Sequence, residues 1–132
     1  MSTALLVAGS VFIGLAALFH LYVFYLESVA WTKPSTRKSF GVASAEEAET
    51  LRPMAFNQGF YNLFLAVGAG LGLLLLWNVF SAGLALVLLA AGSMVFAGLV
   101  LLATSPRNRR SALLQGVPPL IGIVLLLLAL AF

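Results

Sequence analysis

The chain has 132 residues, of which 62% are hydrophobic and 8% are charged, and its mean hydropathy is +1.10. Soluble domains carry about a quarter charged residues, so this composition excludes a water-soluble globular domain. The formal net charge of +3 provides no basic surface large enough for nucleic acid. Cysteine is absent and there is one histidine, which excludes disulfides, thiolate metal sites, iron–sulfur clusters and a bis-histidine haem. We therefore predict no metal and no cofactor.

Four apolar stretches are each close to the roughly 20 residues that cross a bilayer as a helix. They predict membrane helices over 4–30, 53–77, 79–104 and 111–132. The runs lack the alternation of barrel strands, and only helices or closed barrels satisfy their backbone in lipid. The first run follows no basic segment and is too long for a signal peptide. The predicted fold is an all-α, polytopic membrane protein, a single domain over 1–132 that forms a four-helix bundle.

The connections predict how the chain is oriented. Every charged residue except Glu27 lies in the loops 32–52 and 105–110, and both loops are rich in lysine and arginine. With four crossings these loops share one side, which the positive-inside rule makes cytoplasmic. Both termini are then expected on the extracytoplasmic side of a bacterial plasma (inner) membrane.

Local signals refine the first connection and the helix contacts. Ser44 with Glu47 forms a capping-box pattern for a short amphipathic helix on the membrane interface, and Pro53 fits the first turn of the second membrane helix. Small residues four apart, which let helices approach closely in lipid, occur at Gly68 with Gly72 and at Ser93 with Ala97. One chain does not decide whether such faces pack within one bundle or between copies in a homo-oligomer.

Polar residues cluster near one end of three of the predicted helices. Spacings of four, three and four place His20, Phe24, Glu27 and Trp31 on one face of the first helix. In the second helix, two pairs of polar residues, given below, are each spaced four residues apart. Gln115 lies about one turn after the arginines that precede the fourth helix. Counted from the helix ends, Glu27, Asn57 and Gln115 fall at a similar depth, about 6 Å in. The pairs in the second helix are Asn57 with Tyr61 and Gln58 with Asn62.

These residue types suit recognition of a polar group or transfer of a proton. His20 and Glu27 are the candidate catalytic pair, since an acid and an imidazole can exchange a proton and support an isomerisation. The other polar residues are candidate ligand contacts, beneath an apolar half that would hold a lipid-soluble tail. The sequence leaves open whether the protein is an enzyme. The candidate ligand-binding residues are Trp31, Asn57, Gln58, Tyr61, Asn62 and Gln115.

Each residue also has a structural explanation. Glu27 can extend to the interface, Trp31 and Tyr25 can form an aromatic belt, and the amides can join helices for about 1 kcal/mol each. As a set, the amides exceed what an apolar bundle requires, and ionisable groups inside a membrane favour a functional role.

The segments "HLYVFYLESVAW", "MAFNQGFYNLFLAVGAGLG", "SMVFAG" and "LLQGVPPLIG" resemble the family of small bacterial membrane proteins called domain of unknown function 1304. The likeness covers most of the chain, and its specific parts are the histidine-to-glutamate stretch and the N-Q-G-x-Y-N motif. The resemblance implies four membrane helices in the plasma membrane and no settled activity. The positions that match the family motif are His20, Glu27, Asn57, Gln58, Gly59, Tyr61, Asn62, Gln115 and Gly116.

Three functions follow as hypotheses. The favoured one is an intramembrane polar pocket that binds, or in one variant isomerises, a lipid-soluble small molecule. The second is a proton-coupled transporter that works as an oligomer, and the third is an accessory membrane subunit in which the polar residues only fix helix packing. Membrane lipid is a partner in all three, and nucleic acid in none.

Overall fold

The computed structural model describes residues 1–132, which form helices and no strand. The first helix, α1, continues directly into a five-residue π-helix at Tyr25–Val29, and a 3-10 turn at Pro106–Asn108 precedes the last helix. The α-helices are α1 (Thr3–Phe24), α2 (Pro34–Phe40), α3 (Ala45–Leu76), α4 (Phe80–Thr104) and α5 (Arg109–Ala131).

Four segments are long and apolar enough to cross a membrane: Thr3–Val29, Ala45–Leu76, Phe80–Thr104 and Pro106–Ala131. The predicted all-α fold with four membrane helices is confirmed. The chain is thus a multi-pass membrane protein whose outward apolar side chains contact lipid.

The start of α3 differs from the prediction. The expected short interfacial helix and the second membrane helix are one continuous helix of 32 residues, with Pro53 in its interior. The cap decides where α3 begins, because Ser44 Oγ accepts from the Glu47 N–H at 3.0 Å. The Glu47 carboxylate in turn accepts from the Ala43 N–H at 2.8 Å. With these N–H groups at and just before the first turn satisfied, the helix begins eight residues before Pro53 and continues through it.

The chain divides into two compact units. Unit 1 contains residues 1–19 and 65–132, and unit 2 contains residues 20–64. In unit 1, segments of α1, α3, α4 and α5 enclose a core that includes Ile13, Val87, Met94 and Leu126. The Ser2 N–H donates to the Ala129 carbonyl at 3.0 Å, so the two ends of the chain lie side by side.

Glycines bring the helices of unit 1 close together. A Cβ at Gly72 would lie 2.7 Å from a Val87 methyl, and one at Gly68 would contact Ala90 at 3.4 Å. The predicted Gly68–Gly72 face therefore packs against α4 within the chain. The Ser93–Ala97 pair does not pack in this way, because Ser93 donates to the Leu89 carbonyl of its own helix and Ala97 is exposed.

Unit 2 has a small core of its own. Trp31, Ala48 and Ala55 are buried in it, with Phe40 and Leu51 packed against them. The rings of Trp31 and Phe40 meet edge to face with their centroids 5.2 Å apart. The indole N–H of Trp31 donates to the Ala48 carbonyl at 2.8 Å. These contacts attach α2 to the first turns of α3.

Candidate functional site

The π-helical turn Tyr25–Val29 presents the site residues that come from the first membrane span. The Ala30 N–H donates to the Tyr25 carbonyl at 2.9 Å, a bond five residues back rather than four. The π turn ends the first span, and π turns are a common form of helix C-terminus. This turn contains Glu27 and Ser28, and both side chains contact α3.

Glu27 and Asn62 form the polar centre of the site. The Asn62 amide nitrogen Nδ2 donates to Glu27 Oε2 at 2.9 Å and to the Gln58 carbonyl at 3.2 Å. Because both neighbours are acceptors, the orientation of the Asn62 amide is determined. Both side chains are half-buried. The bond joins two helices over 35 residues of sequence.

Ser28 and Gly59 make the helices approach closely beside this pair. Ser28 Oγ donates to the Phe56 carbonyl at 2.9 Å, so its hydroxyl lies against the α3 backbone. A Cβ on Gly59 would collide with Ser28 Oγ and would lie 3.1 Å from the Ser28 backbone nitrogen. Only glycine leaves room for the serine, and this contact holds the π turn against α3.

Aromatic rings adjoin the polar centre. Phe24 and Phe60 meet edge to face with centroids 5.2 Å apart, one from each helix. Phe56 and Phe64 continue the row along α3, at 5.0 and 6.2 Å from the Phe60 ring. These rings join and follow the two helices that carry Glu27 and Asn62.

His20 is almost completely buried, with 1% of its surface exposed. It precedes Glu27 by seven residues, about 10 Å along a helix axis. The sequence placed the two on one face by assuming a regular α-helix, whereas the π turn has fewer degrees of rotation per residue. The Glu27 carboxylate bonds to Asn62, and the pairing of His20 with Glu27 for proton transfer stays a prediction.

The other predicted contacts lie in different environments. Asn57, Gln58 and Tyr61 are exposed on α3, so of the four polar residues on this helix it is Asn62 that bonds to Glu27. Trp31 is in the core of unit 2, 7% exposed, where its N–H is bonded to Ala48 rather than directed outward as in an aromatic belt. Gln115 is half-buried on α5 in unit 1.

Sequence reasoning missed Ser28 and the π turn, and it found Gly59 through the family resemblance alone. A glycine inside a helix, here between Gln58 and Phe60, is itself a signal of close backbone approach. The five residues Tyr25–Val29, YLESV, contain no proline or glycine that would mark a change in helix type.

Comparison with known proteins supports the resemblance. The family model described as "Protein of unknown function (DUF1304)" matches residues 14–127. No curated protein and no solved structure gives a significant match. Since the model covers most of the chain, the protein belongs to the DUF1304 family.

Proposed function

We propose, for this member of a family whose function is not established, that the protein binds the polar head of a lipid-soluble small molecule at Glu27 and Asn62. The observation that supports this most directly is the hydrogen bond between these two side chains, 2.9 Å long, within segments apolar enough to cross a membrane. Ionisable side chains in such segments are costly and usually serve a function.

The free oxygens of the pair indicate what kind of head would bind. Asn62 Nδ2 uses its two hydrogens on Glu27 and the Gln58 carbonyl, which leaves Asn62 Oδ1 and Glu27 Oε1 as acceptors without a protein donor. Neither oxygen is among the fully enclosed atoms that lack a partner. Two neighbouring acceptors fit a ligand that donates hydrogen bonds, such as an alcohol or a protonated amine.

The surroundings supply the rest of the proposed site. The rings of Phe24 and Phe60 provide apolar contact for a tail, and Asn57, Gln58 and Tyr61 extend the polar surface along α3. In an isomerising variant of this function, His20 and Glu27 would exchange the proton. Trp31 and Gln115 remain candidate contacts from the sequence pattern.

The proposed setting is the plasma membrane of a bacterium, with loops 32–52 and 105–110 in the cytoplasm. This orientation follows from the positive-inside rule applied to the basic residues of both loops. Both termini then face outward, and the site opens toward the cytoplasmic half of the membrane.

Mass spectrometry of small molecules that co-purify with the full-length protein in mild detergent tests this function. We expect wild type to retain a discrete molecule, and Asn62→Leu and Asn57→Leu/Gln58→Leu to lose it while still folded. Glu27→Gln should weaken retention, because an amide replaces one acceptor oxygen with a donor. Asn78→Leu is the matched control, since Asn78 is an exposed amide in the turn after α3 that donates to the Leu74 carbonyl at the end of that helix.

If every variant carries only the bulk phospholipid that wild type carries, the ligand-binding function is wrong. If, in addition, Asn62→Leu melts at lower temperature than Asn78→Leu, the amide joins helices and does nothing more. A molecule lost equally from Asn78→Leu would place its binding site elsewhere.

A further inference from the structure

The connection between α1 and α3 is strongly basic. It contains Lys33, Arg37 and Lys38, and no acidic residue occurs between Glu27 and Glu46. Lys33 comes four residues after Val29, where the first candidate membrane span ends. The basic residues thus begin about one helical turn beyond the apolar segment, a distance that corresponds to the headgroup layer of a bilayer.

The inner face of α2 is attached to unit 2. Thr36 is 2% exposed, and Phe40, four residues later on the same face, packs against Trp31. Gly41 ends α2 in the left-handed conformation, with φ of 71°, which glycine adopts without strain. Since α2 is held in this way, its exposed side chains occupy defined positions.

Lys33, Arg37 and Lys38 keep their charges unneutralised. Lys33 Nζ donates to the Tyr25 hydroxyl at 3.1 Å, and none of the three forms an ion pair with a carboxylate. The acidic residues of unit 2 are engaged elsewhere: Glu27 with Asn62, Glu47 with the Ala43 N–H, and Glu49 with Arg52 at 3.4 Å. Glu46 is exposed on the first turn of α3.

Arg37 adds a second observation. Its Nε is enclosed by the protein and has no hydrogen-bond partner there, and no carboxylate pairs with the guanidinium, so its charge is not offset within the protein. The neighbouring Lys33 and Lys38 are exposed, as are the hydroxyl-bearing Ser35 and Ser39. Guanidinium, ammonium and hydroxyl donors together match the oxygens of a phosphate group.

We propose that α2 with Lys33 forms a binding site for the phosphate of anionic phospholipids at the membrane surface. Basic residues next to a membrane span are attracted to anionic lipid, and Lys33 together with Arg37 and Lys38 of α2 places three of them just after the first candidate span. This site uses none of the residues proposed to bind the lipid-soluble molecule, so the two proposals stand or fall separately.

Native mass spectrometry of the full-length protein, exposed to equal amounts of phosphatidylglycerol and phosphatidylcholine, tests the proposal. We expect wild type to select phosphatidylglycerol and Lys33→Gln/Lys38→Gln to lose that selectivity, by roughly fivefold for each charge removed. Arg109→Gln/Arg110→Gln removes the same charge from two exposed residues on α5 and should keep the selectivity. Lys33→Arg/Lys38→Arg should keep it too, which separates loss of charge from loss of folding.

Three results would overturn the proposal. Unchanged selectivity in Lys33→Gln/Lys38→Gln would show that α2 does not contact the phosphate. An equal loss of selectivity in the α2 and α5 variants would show that selectivity depends on the net charge of the protein and not on a site at α2. Displacement of phosphatidylglycerol by inorganic phosphate at low concentration would make the site one for a free anion.

Discussion

At Gly59 a single missing side chain sets the distance between two helices. Ser28 donates to the Phe56 carbonyl, and its hydroxyl occupies the volume that a Cβ on Gly59 would need. The same contact keeps the π turn against α3 and so supports the Glu27–Asn62 bond. Gly59, which has no side chain, thus helps to position Glu27 and Asn62.

Gly59→Ala should therefore destabilise the protein by about 1–3 kcal/mol, the usual cost of forcing atoms into a filled space. Gly70→Ala on the same helix is the control, because a Cβ at Gly70 meets nothing within 4 Å. It should be neutral or stabilising by up to about 1 kcal/mol, since alanine favours the helix. Thermal melts in detergent measure both, and equal melting temperatures would contradict the close contact. Ser28→Ala added to Gly59→Ala should recover part of the loss.

At the scale of the helices, α3 shows that a cap can outweigh an interior proline. Pro53 has no N–H for the Glu49 carbonyl four residues earlier, yet the helix runs from Ala45 to Leu76. Trp31 links α2 to the first turns of α3, because its ring packs against Phe40 of α2 and its N–H donates to the Ala48 carbonyl of α3. If the helix began at Pro53, Ala48 and Leu51 would lie outside it, and this small core would lose the helical turn that carries them.

Pro53→Ala tests whether α3 is continuous. Inside a helix, alanine restores a hydrogen bond and removes a steric clash, which stabilises the folded state. Alanine also makes the unfolded chain more flexible than proline does, which offsets part of this gain. The free energy of unfolding should therefore rise by about 2 kcal/mol. Pro34→Ala is the control, because Pro34 occupies the first position of α2, where no N–H is needed. That change should be neutral or slightly destabilising. A fall in the melting temperature for Pro53→Ala would indicate that the helix starts at Pro53.

At the scale of the whole molecule, glycines determine how the long helices of unit 1 pack. Gly83 on α4 faces the backbone of Leu75 and Leu76 on α3, and Gly98 on α4 lies beside Gly116 on α5. Helices in lipid gain little from the hydrophobic effect between them, so close backbone contact is a main source of association. A side chain added at Gly83 or Gly98 would therefore push two helices apart.

Gly83→Ala should be the most damaging small substitution in α4. A Cβ at Gly83 would collide with the backbone nitrogen of Leu76 and lie 2.6 Å from the Leu75 carbonyl carbon. Because backbone cannot yield as a side chain does, we expect a loss of about 3 kcal/mol or more. Gly92→Ala, where a Cβ meets nothing within 4 Å, should change stability by no more than about 1 kcal/mol. A melt that gave similar temperatures for both would refute the close packing of α3 and α4.

The sequence by itself determined the all-α class and the four membrane helices, and it marked Gly68 and Gly72 as a face for close packing without deciding what packs there. The reason is physical: apolar length and small-residue spacing act locally along the chain, and lipid permits few structures for such segments. The same local logic found Glu27 and Asn62 as separate candidates.

Only the tertiary structure decided which candidates meet. The bond from Glu27 to Asn62 depends on the π turn, on the space at Gly59 and on the Ser28 hydroxyl, none of which follows from periodicity. For Trp31 the sequence favoured an aromatic belt and kept a ligand contact as a candidate, whereas the structure shows its ring packed against Phe40 and its N–H bonded to the Ala48 carbonyl. Contacts between residues far apart in sequence depend on how helices rotate and approach each other, and that is settled by packing of the whole unit rather than by any one segment.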